Sequence, residues 1–331
     1  MKQLFAWAAV AALAAAPASA QTVTLKFAAW APPNVNVNLA QKEWAAAVEK
    51  ESGGAVKIEF YWETLANART VYDAVRNGVA DLGWILQPLV PGKFPRTAVV
   101  ELPFLVANSA EGSAALWRIY EKGLLAAEYN EVRPVGLTVL PPSVLHSKTP
   151  IPDPEALSGK KLRIAGRVNA QMIASLKATG VQMPITGVYE AVSKGVLDGS
   201  LSPWLGFTAF KHEEVMKFHV DVPLGGIGGM MGMNNKSWES LSPAAKAAIQ
   251  KHSGAALSAS YGKFNDADVA ENMAKVRALP GQSITKFTDA QIAALGKQFE
   301  TIYAGWAKET PGGDAILKSF REELAAVRAK K

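Results

Sequence analysis

Two arginines near the middle of the chain, with four of its nine tryptophans, are the side chains whose types and placement point to a common chemistry. Arg163 and Arg167 lie in the stretch Gly159–Trp204. A glycine turn there leads into a short strand, Lys161–Ile164, that delivers Arg163 and then Arg167 to the mouth of a helix from about Val168 to Ala178. A second strand around Val181–Met183 follows, then a helix from about Gly187 to Lys194 ending at Gly195, and a strand or turn around Val196–Asp198. Ligands of open α/β sheets sit at the carboxyl ends of the strands, where this unit carries its cations. An arbitrary arginine is solvated or paired on the surface. One at a strand end beside a helix start offers a planar fork of donors to a carboxylate, with the helix amides adjoining. The reading is recognition of a small organic anion with nothing done to it chemically.

Other chemistries find little support. His146, His212, His219 and His252 are isolated in sequence, and none has the spacing of an HExxH site. No G-x-S-x-G elbow occurs. The chain has no cysteine, which removes thiol nucleophiles and thiolate metal sites. Glu190 and Asp198 form a conceivable carboxylate pair, but Asp73 and Asp81 repeat it earlier, which favours a structural role. No catalytic residue, cofactor or metal is expected, and the chain is not expected to be an enzyme.

The elements that must position these residues begin with a strand at Thr22–Ala28 and a helix from about Asn38 to Glu51. A strand through Val56, Ile58 and Phe60, a helix from about Asn67 to Arg76 and a strand at Ala80–Ile85 complete an alternation that predicts a parallel α/β sheet. Trp30, Trp62 and Trp84 each fall at or near the end of one of these strands. Each indole alone is as much a core filler as a ligand contact; three in like positions favour an aromatic-lined pocket. Further along come a helix from about Ala110 to Ala127, a strand at Val132–Leu140 and a crossing segment, Pro141–His146. Tyr72–Asp81 then recurs as Tyr189–Asp198, 117 positions later, with tyrosine, alanine, valine, glycine, valine and aspartate repeated. Each copy is a helix end, a glycine stop and a strand start, so two similar lobes are expected, with the cleft between them.

Thr186, Tyr189, Ser202 and Trp204 are the nearby candidates for the rest of the pocket. The glycine- and methionine-rich run Leu224–Asn234 matches no nucleotide-binding fingerprint and reads as a strand crossing between lobes, with Met231 and Asn234 as candidate contacts. After it come a helix from about Ala244 to Lys275, broken near Gly254 or Gly262, a strand at Ile284–Phe287, a helix from Asp289 to about Lys308 and a last one from about Asp314 to Ala329.

The net charge of +6 is modest and scattered, without the basic run of a nucleic-acid binder. Residues 1–20 read as a signal peptide: Lys2, an apolar run from Leu4 to Ala16, and a small-x-small ending at Ala20. The expected mature chain starts at Gln21, lies outside the cytoplasm, does not insert in a membrane and is a monomer.

Several segments together resemble a known family. These are Leu157–Ile164, Gly180–Pro184, Val188–Ala191, Gly195–Gly199 and Met233–Trp238, with Asn77–Leu82 as the matching element of the first lobe. They resemble the extracytoplasmic solute-binding subunits of tripartite ATP-independent periplasmic (TRAP) transporters, of the dicarboxylate-binding-protein type. The resemblance implies a two-lobed α/β periplasmic binding protein fold, each lobe a β-sheet flanked by helices, that closes on an organic acid in the periplasm and delivers it to a sodium-coupled permease. It places lobe I at 21–141 with 229–262 crossing back, lobe II at 142–228 with part of 263–331, and bracing helices at 283–331. Arg163 falls where the family has its carboxylate-clamping arginine. Ser143 stands where many members carry a second arginine, Ser202 where an asparagine often contacts ligand, and Ile185 where a phenylalanine is common. With the tryptophans, these departures point to a monocarboxylate with an apolar or aromatic body. The other readings are a sensory module for a membrane receptor and a secreted enzyme acting on an organic acid.

Overall fold

The computed structural model describes residues 22–330 except 34 and 36, so the expected signal peptide lies outside the described residues. The first lobe opens with β1 (Val23–Ala29), α1 (Val37–Glu51), β2 (Val56–Trp62), α2 (Val71–Arg76) and β3 (Leu82–Leu86). Alternating apolar residues bury one face of β1, and the glycine pair Gly53-Gly54 ends α1 with positive φ at both residues. The helix expected from Asn67 starts only at Val71, because Asn67 Oδ1 accepts from the amides of Arg69 (2.9 Å) and Thr70 (3.2 Å) and makes a turn instead. Then come α3 (Ser109–Glu121), shorter than expected, and β4 (Val132–Leu140).

The second lobe contains β5 (Val144–Ser147), β6 (Lys161–Ile164), α4 (Arg167–Ser175), β7 (Thr179–Gln182), α5 (Val188–Ser193), β8 (Gly199–Ser202), α6 (His212–Val215) and β9 (Phe218–Val220). The chain returns to the first lobe through β10 (Ile227–Asn234), α7 (Asn235–Ser240) and α8 (Pro243–Lys251), then runs through α9 (Ala255–Ala278), β11 (Ser283–Thr285), α10 (Asp289–Glu309) and α11 (Gly313–Arg328). The helical break falls at Gly254, whose φ is +68° and whose absent β-carbon would lie 2.9 Å from Trp117. Gly262 stays helical. Lacking a side chain, it lets α9 pack on the backbone of Ala110, where a β-carbon would sit 2.5 Å from Cα.

Two sheets result, in the orders β2-β1-β3-β10-β4 and β11-β9-β5-β8-β6-β7. The first is mixed rather than purely parallel: β1 pairs in parallel with β2 and β3, while β10 is antiparallel to both β3 and β4. The segment read as a mere crossing contains β5, and the strand placed at Val196–Asp198 begins at Gly199. The lobes meet at a pair of crossing segments, where the Ser143 amide donates to Gly225 O and Leu224 N donates to Ser143 O, both at 2.8 Å. Helix α9 ties them again, with Leu257 and Tyr261 in the main core and Val276 in the smaller core of the second lobe. On α10, Tyr303 Oη donates to Pro103 O (2.6 Å) and Trp306 Nε1 to Pro95 O (3.1 Å); on α11, Arg328 pairs with Glu111 of α3. Among the described residues no helix is long and apolar enough to cross a membrane.

Candidate ligand-binding site

Strand β6 lies between β7 and β8, and its neighbours hold the Arg163 side chain from either side. Nε donates to Met183 O just past β7 (2.9 Å) and Nη1 to Leu201 O in β8 (3.4 Å). Arg163 is only 2 % exposed. It forms no ion pair with any described residue, and Nη2 has no acceptor among them. Burial pushes its pKa down to about 10, so the guanidinium still carries its charge at neutral pH. An enclosed cation without a counter-ion is costly, and a bound anion removes that cost.

The space beside Arg163 is a cavity of about 50 Å³ between the lobes. Trp30, Trp84, Leu86 and Leu140 wall it from the first lobe, and Ile185 and Phe210 from the second. Arg163 is the one charged residue in its lining; the remainder is apolar. Trp30 follows β1 and donates Nε1–H to Trp84 O at 2.7 Å, so its polar edge is already engaged and it shows the cavity an apolar surface. Trp84 is stacked on Tyr261 of α9 at 4.7 Å between ring centres, which fixes its plane. Apart from Arg163 the wall is apolar, part aromatic and part aliphatic.

The other residues singled out from sequence fall in several places. Ser143 is buried at the lobe crossing, and its Oγ has no partner among the described residues. In β8, Ser202 Oγ accepts from Ser200 Oγ (3.0 Å) while its carbonyl meets His146 Nε2 (3.1 Å). Trp204 packs behind the cavity against His146 and Phe207, leaving its neighbours Pro203 and Leu205 to form the wall. Arg167 is not beside Arg163. At the start of α4, with its side chain 48 % exposed, it pairs with Glu309 of α10 and borders a different groove. Trp62 is carried outward because β2 is the edge strand; it stacks on Phe60 at 5.0 Å, under the Lys42 ammonium. Thr186 is exposed on a turn. Met231 is buried in β10 opposite Trp84, outside the lining. Asn234 is an N-cap: Oδ1 accepts from Ser237 N (3.0 Å), and Nδ2 donates to Val75 O (2.7 Å) and Arg76 O (3.1 Å).

Phe210 and Leu140 were not anticipated. Phe210 comes from an irregular loop after β8 that turns through Lys211 at φ +58°, and Leu140 is one apolar residue among many in β4. Two of the histidines isolated in sequence, His146 and His219, meet, and His212 packs nearby. His146 Nδ1 and His219 Nδ1 are 2.9 Å apart, His219 Nε2 lies 2.9 Å from Gln282 Oε1, and His212 packs on Phe207. Burial drives all three below the usual histidine range: His146 well below, His219 to about 4 and His212 to about 3, the last also through Arg163. They are therefore neutral at pH 7. Among the described residues no group of three or more histidines, cysteines or carboxylates is placed to hold a metal ion.

Known proteins show the same architecture. A TRAP solute-binding protein from Rhodoferax ferrireducens, solved with copurified benzoate, superposes with a TM-score of 0.87 over 92 % of this chain and 98 % of its own, at 29 % identity. A marine metagenome TRAP solute-binding protein specific for aromatic acids, solved with 3-hydroxybenzoate, gives 0.88 over 92 % and 99 % at 29 % identity. A TRAP periplasmic solute-binding protein from Bordetella bronchiseptica, solved with (R)- and (S)-mandelate, gives 0.87 over 92 % and 99 % at 25 % identity. Residues 27–309 match the family model described as bacterial extracellular solute-binding protein, family 7. On these grounds the chain belongs to the family 7 extracellular solute-binding proteins, the substrate-binding proteins of TRAP transporters.

Proposed function

We propose that this protein captures a small organic acid with a single carboxylate and an apolar or aromatic body in the periplasm, as a monomer, and delivers it unchanged to a sodium-coupled TRAP permease. The observation that carries the reading is Arg163, a buried and unpaired guanidinium at one side of an otherwise apolar cavity. Its free donor edge takes the carboxylate, and the indoles of Trp30 and Trp84 cover the body. A second carboxylate would lie among Leu86, Leu140 and Ile227 with nothing to pair it, a position that costs several kcal/mol or more. The lining holds no nucleophile and no acid or base, which supports binding without turnover. The ligands of the three structural relatives, all aromatic monocarboxylates, are of this class.

Refolded, ligand-free protein titrated calorimetrically with benzoate, cyclohexanecarboxylate, succinate and benzyl alcohol tests the reading. The two monocarboxylates should bind at least tenfold more tightly than succinate, and the alcohol should not bind. Preference for the dicarboxylate would overturn the ligand assignment.

A further inference from the structure

A second cavity, of about 370 Å³, runs along the seam between the lobes, bordered by Gln87, Pro88 and Glu101 from the first and by Ile164, Gly166 and Gln182 from the second. Glu101 ends the short 3-10 turn Thr97–Glu101, directly beside the lobe crossing. The Gly226 amide donates to Val100 O at 2.8 Å, and a β-carbon on Gly225 would lie 2.0 Å from Glu101 O. The Glu101 side chain reaches the other lobe. A β-carbon on Gly166, the N-cap of α4, would lie 3.1 Å from Glu101 Oε2 and 2.6 Å from Pro88 Cβ, so the contact exists only because position 166 is glycine. Glu101 is 4 % exposed, and its carboxyl has no hydrogen-bond partner among the described residues.

Few charges face this carboxyl. From α4 there is Arg167, already paired with Glu309 of α10. Strand β10 carries no ionisable residue. Glu111 of α3 is paired with Arg328 of α11, and Arg118 and Lys122 are both paired with Glu323 of α11. Arg96, on the turn's own approach, donates its amide to Glu128.

We propose that Glu101 is a proton-linked latch on lobe closure: its carboxyl is neutral while the second lobe packs over it and ionises when the lobes part, so capture of the anionic ligand takes up a proton. The inference rests on the capture reading above. Burial is the larger influence and raises the Glu101 pKa to about 8 from an ordinary 4.5, with Arg167 opposing. A group whose pKa is higher in the closed form favours closure at low pH. That contribution is complete below 4.5 and is lost as pH rises through about 8. Between those values each unit of rising pH weakens ligand binding by up to roughly tenfold. His146, His212 and His219 stay neutral over the upper part of this range and do not mask the effect.

The test is calorimetric titration with benzoate at pH 7 in buffers of different ionisation enthalpy, on the wild-type chain and on Glu101→Gln, repeated at pH 6 and pH 8. Wild-type binding should take up close to one proton per ligand and weaken roughly fifty-fold from pH 6 to pH 8. Glu101→Gln, a permanently neutral mimic of the latched state, should take up none and bind equally at both pH values. Buffer-independent heats in the wild type, or the same uptake kept in Glu101→Gln, would overturn the latch while leaving capture intact. Failure of every acid in the panel to bind would overturn the capture reading and the latch with it.

Discussion

The segments Tyr72–Asp81 and Tyr189–Asp198 build one frame in each lobe. In both, a short helix stops at a left-handed glycine, Gly78 at φ +76° and Gly195 at φ +73°. The aspartate then clamps the neighbouring parallel strand by its backbone. Asp81 Oδ2 accepts from Lys26 N (2.8 Å) and Asp198 Oδ2 from Lys161 N (2.7 Å), and each aspartate amide donates back to the same lysine's carbonyl. Two residues beyond the clamped lysine the frames diverge. The first lobe has Ala28, paired with Gly83; the second has Arg163, paired with Ser200. The first lobe turns an apolar aromatic wall to the cleft, and the second supplies the charge. The backbone frame is shared; the side chain mounted at one matched position differs, and with it the charge that each lobe brings to the cleft.

The lobes should respond oppositely to acid, and this is the largest effect that could break the comparison. The second lobe buries His146, His212 and His219 as neutral rings, with pKa values held below the unfolded value. Its stability is full above about 6.5, begins to fall as pH drops through that value, and keeps falling toward the folded values of about 4 and about 3. The first lobe buries Glu101 and Glu128 with raised pKa values, which acid favours. Hydrogen exchange at pH 7 and pH 4 should show amides of β5, β8 and β9 losing protection before those of β1, β3 and β4. Uniform loss would contradict the assignment.

Next in size is Arg163→Ala. Loss of a charge-assisted pair in a closed cleft costs about 2–5 kcal/mol, roughly 30- to 5,000-fold in affinity for benzoate. Circular dichroism should show the fold retained. Unchanged affinity would remove Arg163 from the site.

The shared clamp predicts a smaller and graded effect. Asp198→Ala should cost ~1 kcal/mol in urea denaturation, because the hydrogen bond it removes lies at an exposed edge. Asp81→Ala should cost more, about 2 kcal/mol, since Asp81 also accepts from Ser237 Oγ at 2.5 Å. Equal losses would mean that the Ser237 contact contributes nothing. Smallest of all, Arg167→Ala breaks a solvent-exposed pair with Glu309 and should change stability by no more than about 1 kcal/mol. Benzoate affinity should change less than twofold, in contrast to Arg163→Ala four residues away.

Much of the frame was legible because it is local. The strand-helix alternation, the glycine stops at Gly78 and Gly195, and the repeated aspartates are short-range patterns, and they correctly suggested two similar α/β lobes with Arg163 at a strand end. The mixed character of the first sheet was not legible. Which strand β10 joins depends on contacts more than ninety residues away, between Met231 and both Trp84 and Gly136. Trp62 shows the limit most clearly. Its strand was read correctly, but whether that strand is central or at the edge is a property of the sheet order, and the edge position turns its indole away from the cleft.

By itself, then, the chain determined most of its strand-helix alternation, its glycine stops and the place of Arg163 at a strand end, since hydrophobic period and glycine stereochemistry act over a few residues. Tertiary structure alone decided which aromatic rings wall the cavity, that Arg163 is enclosed without a counter-ion among the described residues, that His146 meets His219, and that Glu101 meets Gly166 across the lobe seam. Those outcomes follow from the packing of distant segments against one another, which no short-range pattern encodes.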